Sequence, residues 1–330
     1  MSGGRRERWL RVGGLELGIA LPERLDRRLE RSGLARALAR LGRRRVPARL
    51  PESDAPLPER RPEPADLDPA TRPLLDKVAE MEWYHSIDLG HGVVTPGLVD
   101  HRPQLDRYHL PHSLAGMRCL DVASWDGFFA FEMERRGADE VISFDLESIA
   151  DIDIPGPHRA ELVANAAGRR QDQGFRLAHE VLGSRVERKT GSVYRLSPEL
   201  AGSFDLVIVS DLLLHLRDPQ LALDHIATVC RGTLLLADVY HPPLERYGER
   251  SLAEYSPWLP GYTWWQMNVS TLRKMLDTAG FTAVEELERF EMRLSSGGPG
   301  SPKVVLRAQG PARAEPAAVT GGSAAARRTR

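Results

Sequence analysis

The chain has 330 residues, 42% of them hydrophobic, which is enough for one sizeable domain with extensions or for two domains. A formal net charge of −1 excludes a chain that is basic throughout, as many polyanion binders are, and two cysteines exclude a disulfide framework or a cysteine-held zinc site. No apolar run approaches the ~18 residues of a membrane helix and no secretory h-region opens the chain, so a cytoplasmic protein without membrane contact is expected.

Residues 1–50 hold fourteen Arg against five Asp or Glu. A weak hairpin is expected around Gly13-Gly14, then a helix from Pro22 to Arg45. In that helix Leu25, Leu29, Leu34, Leu38 and Leu41 recur at helical spacing, with Arg on the remaining faces. Residues 1–45 therefore read as a basic helical N-terminal extension. It is either a solvated amphipathic helix or an arm for RNA or an acidic partner. Prolines among charged residues make 46–70 a semi-rigid linker. The main domain is expected over 71–308, followed by a disordered tail, 309–330, rich in Ala, Pro, Gly and Arg.

The main domain opens with a helix through Leu74, Leu75, Val78 and Met81. The stretch WYHSIDLGHGVVTPG (83–97) is dense in aromatic, polar and turn residues. It is either a lid over a pocket or a hydrophobic staple under a sheet. From Met117 strands and helices alternate, which predicts an α/β fold with a parallel sheet. The strands are expected at Cys119–Val122, Glu140–Phe144, Val186–Thr190, Phe204–Val209 and Thr233–Asp238. The run FDLVIV is apolar nearly throughout, as in a strand buried on both faces. Helices are expected near 158–182, 219–230 and 270–279, and two last strands near 284–290 and 303–307.

The candidate site lies where the first of these strands turns into its helix, CLDVASWDGFF, because ligands of open α/β sheets bind outside the carboxyl ends of strands. A dinucleotide fold needs G-x-G-x-x-G there so that the backbone can approach a pyrophosphate, and here only Gly127 remains. S-adenosylmethionine (SAM) carries no phosphate, and its demands are small residues beside its tail, an acid for its ribose and a dry wall for adenine. Asp121 is placed to orient the turn and meet the SAM ammonium, or to cap the turn. Ala123 and Gly127 leave room for the tail, while the large ring of Trp125 either floors the pocket or points away. Asp145, one strand later, is placed to accept both ribose hydroxyls, or to cap a helix. Ser192 and Val193 follow the third strand at the adenine position.

On the acceptor side, His215 lies beyond the fourth strand as a candidate general base, or as a structural histidine fixing the loop before Arg217-Asp218-Pro219. Trp83 and His85, with Tyr240, Trp264 and Trp265 from the aromatic segment 240–265, are candidate acceptor-binding residues. The alternative for that segment is a satellite core stapling an insertion.

Three motifs in order, WYHSIDLGHGVVTPG, LDVASWDGFFAFEMERRGA and DLLLHLRDP, resemble class I SAM-dependent methyltransferases. More narrowly they resemble the tRNA (mo5U34)-methyltransferase-like group, related to the wobble-uridine carboxymethyltransferases. The resemblance covers roughly residues 70–307. It implies a Rossmann-like seven-stranded sheet, mostly parallel with an antiparallel last strand. It also implies SAM at the positions matching Asp121, Ala123, Gly127 and Asp145. The expected activity is methyl transfer to an oxygen or nitrogen of a small-molecule acceptor. The alternatives are a tRNA wobble-uridine enzyme using the basic arm and a non-catalytic SAM or RNA binder.

Overall fold

The computed structural model describes residues 5–12, 15–22, 69–156, 158–160, 171–257, 259, 262–297 and 300–311. The chain divides into two compact units, 1–49 and 50–330. In the first, β1 (Arg5–Val12) and β2 (Leu15–Pro22) pair antiparallel from Arg5↔Pro22 to Val12↔Leu15, which is the hairpin expected around Gly13-Gly14. The helix expected after Pro22, nearly all of the 46–70 linker and the tail beyond residue 311 lie outside the described residues.

The second unit begins with α1 (Arg72–Ala79) and then alternates strand and helix. In chain order these are β3 (Arg118–Val122), α2 (Phe128–Arg135), β4 (Glu140–Asp145), α3 (Gln173–Leu182), β5 (Glu187–Thr190), β6 (Phe204–Ser210), α4 (Pro219–Val229) and β7 (Cys230–Val239). A two-stranded ribbon of β8 (Ala253–Tyr255) and β9 (Trp265–Met267) precedes α5 (Val269–Thr278), β10 (Thr282–Met292) and β11 (Ser301–Gln309). The main sheet has the order β10-β11-β7-β6-β3-β4-β5. Strands β5, β4, β3, β6 and β7 pair in parallel, and β11, the last in sequence, runs antiparallel to both β7 and β10. The expected seven-stranded, mostly parallel sheet is thus the observed one.

Period-two alternation divides the core between the two faces. Leu120, Val122, Ile142, Phe144, Val207 and Val209 pack against α4 and α5 residues such as Leu223 and Leu272. Cys119, Val141, Leu206, Ile208 and Val305 pack with Phe128, Phe131 and Phe175 from α2 and α3. Asp121 alternates with Leu120 and Val122 and so shares the face of Cys119, toward α2. The 83–99 stretch also packs on that face: Trp83, Ile87, Leu89, Val93 and Val99 are buried there. It doubles back on itself through Ser86 N–H to Val99 O and Thr95 N–H to Ile87 O. The doubling needs glycine at 97, where a Cβ would stand 2.0 Å from the His85 carbonyl carbon. This stretch is therefore a buttress of the core. Among the described residues no helix is long and apolar enough to cross a membrane.

Candidate active site

Strand order reverses between β3 and β6, which leaves a crevice at their carboxyl ends. A cleft of about 390 Å3 opens there, within the usual range for small-molecule sites. Its walls include Ala123 after β3, Asp145 at the end of β4, Ser192 and Val193 after β5 and Leu212 after β6.

The turn from β3 to α2 is held in an unusual backbone shape. Ala123, Trp125 and Gly127 all have positive φ, of 60°, 48° and 88°. At Gly127 a Cβ would also lie 2.7 Å from the Phe175 ring, so glycine is required twice over. The shape is pinned from both sides. The Trp125 amide donates to Asp145 Oδ2 at 2.6 Å, and Arg188 Nη1 donates to the Trp125 carbonyl at 3.0 Å. The indole of Trp125 lies near Tyr84, ring centroids 5.8 Å apart, and is not among the groups lining the cleft. Asp121 is 2% exposed and accepts the Ala130 amide at 3.0 Å, anchoring the first turn of α2. Burial pushes its carboxyl well above the usual carboxylate range. Of the expected tail-binding residues, Ala123 lines the cleft, while Asp121, Trp125 and Gly127 shape the turn behind it.

Asp145 faces the cleft with most of its capacity already used. Its Oδ1 accepts the Leu146 amide at 2.7 Å and Gln171 Nε2 at 3.0 Å, and its Oδ2 accepts Trp125. A carboxylate offers about four lone-pair sites, so one remains, on Oδ2. Ser192 caps the turn after β5 by accepting the Tyr194 amide, and Val193 presents its side chain to the cleft. Asp153, at the rim, accepts the Tyr194 hydroxyl at 2.7 Å and the Arg217 amide at 2.8 Å.

The candidate acceptor residues scatter. Trp83 is buried, with its indole N–H donated to the Val78 carbonyl at 3.0 Å. Tyr240 is buried beneath the guanidinium of Arg289. Trp264 donates to the Asp153 carbonyl at 2.7 Å and Trp265 to the Arg217 carbonyl at 3.1 Å, so the β8–β9 ribbon is stitched to the rim of the cleft. His215 Nδ1 stands 3.2 Å from the Tyr262 carbonyl, and the ring does not line the cleft. Only His85 joins a dense polar group.

A family model described as a methyltransferase domain matches residues 101–286, more than half of the chain. The chain belongs to the methyltransferase-domain family. The enzyme is a SAM-dependent methyltransferase. Its fold is shared with the N-terminal domain of EvdMO1, solved in the presence of S-adenosylhomocysteine (SAH) and D-fucose. That structure superposes with a TM-score of 0.50 at 18% identity, over 72% of this chain and 96% of that one. An O-methyltransferase family protein from Burkholderia thailandensis gives a TM-score of 0.42 at 17% identity, covering 64% of this chain and 56% of that one. The sequence matches no curated protein.

The cleft of this methyltransferase fits its cofactor. It offers one open carboxylate lone pair, a wall without side chain at Gly191, and apolar flanks at Ile152, Val193, Leu212 and Leu216. Beyond the cleft the methyltransferase holds a buried polar cluster that sequence reasoning largely missed. His85 and His101 have ring centroids 5.3 Å apart, and His101 Nδ1 meets the Tyr108 hydroxyl at 2.7 Å. Burial lowers both histidine pKa values, that of His85 to about 3, so both rings are neutral. Lys303, with no exposed surface, lies 2.5 Å from Asp211 Oδ1. Asp238 Oδ2 accepts the amides of Leu212 and Leu213, and Asp126 Oδ2 accepts those of Tyr84 and His85. A lysine inside the apolar run PKVVL and an aspartate directly after FDLVIVS were the available signals. Among the described residues no group of three or more His, Cys, Asp or Glu is placed to hold a metal ion.

Proposed function

We propose that this methyltransferase moves the SAM methyl group to an oxygen or nitrogen of a small-molecule acceptor. The observation that carries the reading is the cleft at the strand-order reversal, bounded by Asp145 and Val193 and by Leu212 after β6. SAM supplies a methyl carbon made electrophilic by its sulfonium, so alignment is the main demand on the protein. Asp145 Oδ2 would accept one ribose hydroxyl. Ser192 and Val193 would meet the adenine, and Ile152, Leu212 and Leu216 would keep the site dry. The fold relative solved in the presence of D-fucose supports a compact acceptor.

The second reading is a tRNA-modifying enzyme. It is favoured by the Arg content of residues 1–50 and by the narrower resemblance to wobble-uridine enzymes. Charge contacts to phosphates would make such binding fall steeply with salt. Incubation with methyl-labelled SAM and cell extract, with and without ribonuclease, tests the two together. Label in a small, ribonuclease-resistant product is expected. Label in RNA that ribonuclease releases would replace the first reading with the second.

A further inference from the structure

We propose that Asp153 is a positioning residue for the cofactor: it holds together the cleft wall that meets the adenosine half of SAM, without touching the reacting atoms. The proposal rests on the reading that this cleft is where SAM binds. Three connections of the sheet supply the wall, Asp151–Asp153 after β4, Ser192–Tyr194 after β5 and Leu216–Asp218 after β6. The strands themselves end at Asp145, Thr190 and Ser210, before the wall begins. Its spacing is therefore set by bonds between the connections.

Asp153 makes those bonds at one atom. Its Oδ2 accepts the Tyr194 hydroxyl at 2.7 Å and the Arg217 amide at 2.8 Å, which joins the first connection to the second and the third. The Tyr194 oxygen in turn accepts the Asp218 amide at 3.1 Å, so the three connections close into a ring. Asp153 is itself anchored from two sides. The side chain of its chain neighbour Ile154 is buried, and the Asp153 carbonyl accepts the Trp264 indole N–H at 2.7 Å. The Trp265 indole donates to the Arg217 carbonyl at 3.1 Å, and the Arg217 guanidinium lies over the Trp264 ring, 4.9 Å from its centroid. The β8–β9 ribbon is thus clamped onto the two residues that Asp153 joins.

The ring sits where the adenosine half of the cofactor is read. Ser192 and Val193, at the adenine position, directly precede Tyr194, and the flank Leu216 directly precedes Arg217. A wall bonded in advance does not have to be ordered by the ligand, and the saving appears as affinity. Without the Asp153 oxygen the Tyr194 hydroxyl and the Arg217 amide lose their shared acceptor, and the three connections lose their spacing. Both bonds need an oxygen at this place and not a charge, so an amide side chain can keep them.

The test is calorimetry on the full-length protein with SAH and with 5′-methylthioadenosine, which lacks the amino-acid tail. Asp153→Ala is expected to raise the Kd for SAH about tenfold to a hundredfold while the binding stoichiometry stays near one. A merely structural role would lower the stoichiometry and leave the Kd of the folded fraction unchanged. Asp153→Asn should stay within about fivefold of wild type. 5′-Methylthioadenosine should lose the same factor as SAH, to within about threefold, because the wall meets the half they share. Tyr194→Phe, which opens the ring at one bond, should weaken SAH about threefold to tenfold, and should add less than about threefold to Asp153→Ala. A Kd for Asp153→Ala within threefold of wild type, a loss confined to SAH, or an Asn variant as weak as the Ala variant overturns the role of Asp153. Should Asp153→Ala fail to fold, Tyr194→Phe decides, and wild-type affinity there overturns the role as well. Asp145→Asn separates the two levels: unchanged SAH affinity in that variant takes SAM out of the cleft and the reading with it. A loss in Asp145→Asn without one in Asp153→Ala overturns the proposal alone.

Discussion

The cofactor cleft and the polar cluster stand at the same edge of one sheet, and their polar groups are treated in opposite ways. In the cleft two carboxylates are already bonded: Asp145 by Trp125, Leu146 and Gln171, and Asp153 by Tyr194 and Arg217. In the cluster His85 Nδ1 and His101 Nε2 lack partners, and Asp211 Oδ1 stands 2.5 Å from Lys303 Nζ. The cleft is made by turns that follow β3, β4, β5 and β6, so backbone geometry preforms it. The cluster draws on the 83–108 segment, the β3–α2 turn, the ends of β6 and β7, and β11, so its shape depends on the whole unit. The difference teaches that a preformed cleft can bind with little rearrangement, whereas buried groups with open valences are where a second ligand gains most from supplying the missing partners.

The comparison breaks most visibly at Lys303. Lys303→Met leaves Asp211 and Asp238 buried without their cation, and losing one partner of a buried pair costs about 3–5 kcal/mol. Thermal melts should show a large drop in Tm, partly restored when Asp211→Asn is added. A drop no larger than that of a surface substitution would mean the cluster is not held together by charge. On the cleft side, Asp145→Asn removes a charged acceptor worth about 1.5–3 kcal/mol, so SAH affinity by calorimetry should fall about tenfold to a hundredfold. Unchanged affinity would take the ribose away from Asp145.

A pH series sharpens the contrast. Burial, with the nearby Lys303 second, lowers His85 from 6.5 to about 3 in the folded protein. The unfolded chain therefore binds the proton more readily, and this part of the stability is full above pH 6.5 and is lost as pH falls toward 3. Asp126 acts in the opposite sense. Burial raises it from 3.8 to about 7, so its contribution declines as pH rises through that window. His85→Gln should flatten the loss of Tm between pH 6.5 and about 4 relative to wild type. Parallel curves for the two proteins would contradict the buried neutral imidazole. The smallest effect belongs to His215, which is bonded to a backbone carbonyl away from the cleft. His215→Gln should keep methyl transfer within threefold of wild type, and a hundredfold loss would return it to the role of base.

Much of this molecule is legible along the chain. The apolar run of β6, the alternation that sets Asp121 opposite Leu120 and Val122, and the turn after β3 are local patterns, and each states a local hydrogen-bonding or packing need. They determined the seven-stranded sheet, the crevice and the place of Asp145 in its wall. Tertiary structure alone decided which atoms face the cleft. At Trp125 the amide rather than the indole holds the site, because positive φ and the Asp145 carboxylate set its direction. His85 is a neutral ring because the fold buries it, with Lys303 arriving from a distant strand as the second cause. Lys303 is an oddity in an apolar strand until Asp211 meets it across the sheet. Sequence periodicity reports the face a side chain takes. It does not report the charge opposite that side chain, and with water excluded the charge opposite governs protonation and reactivity.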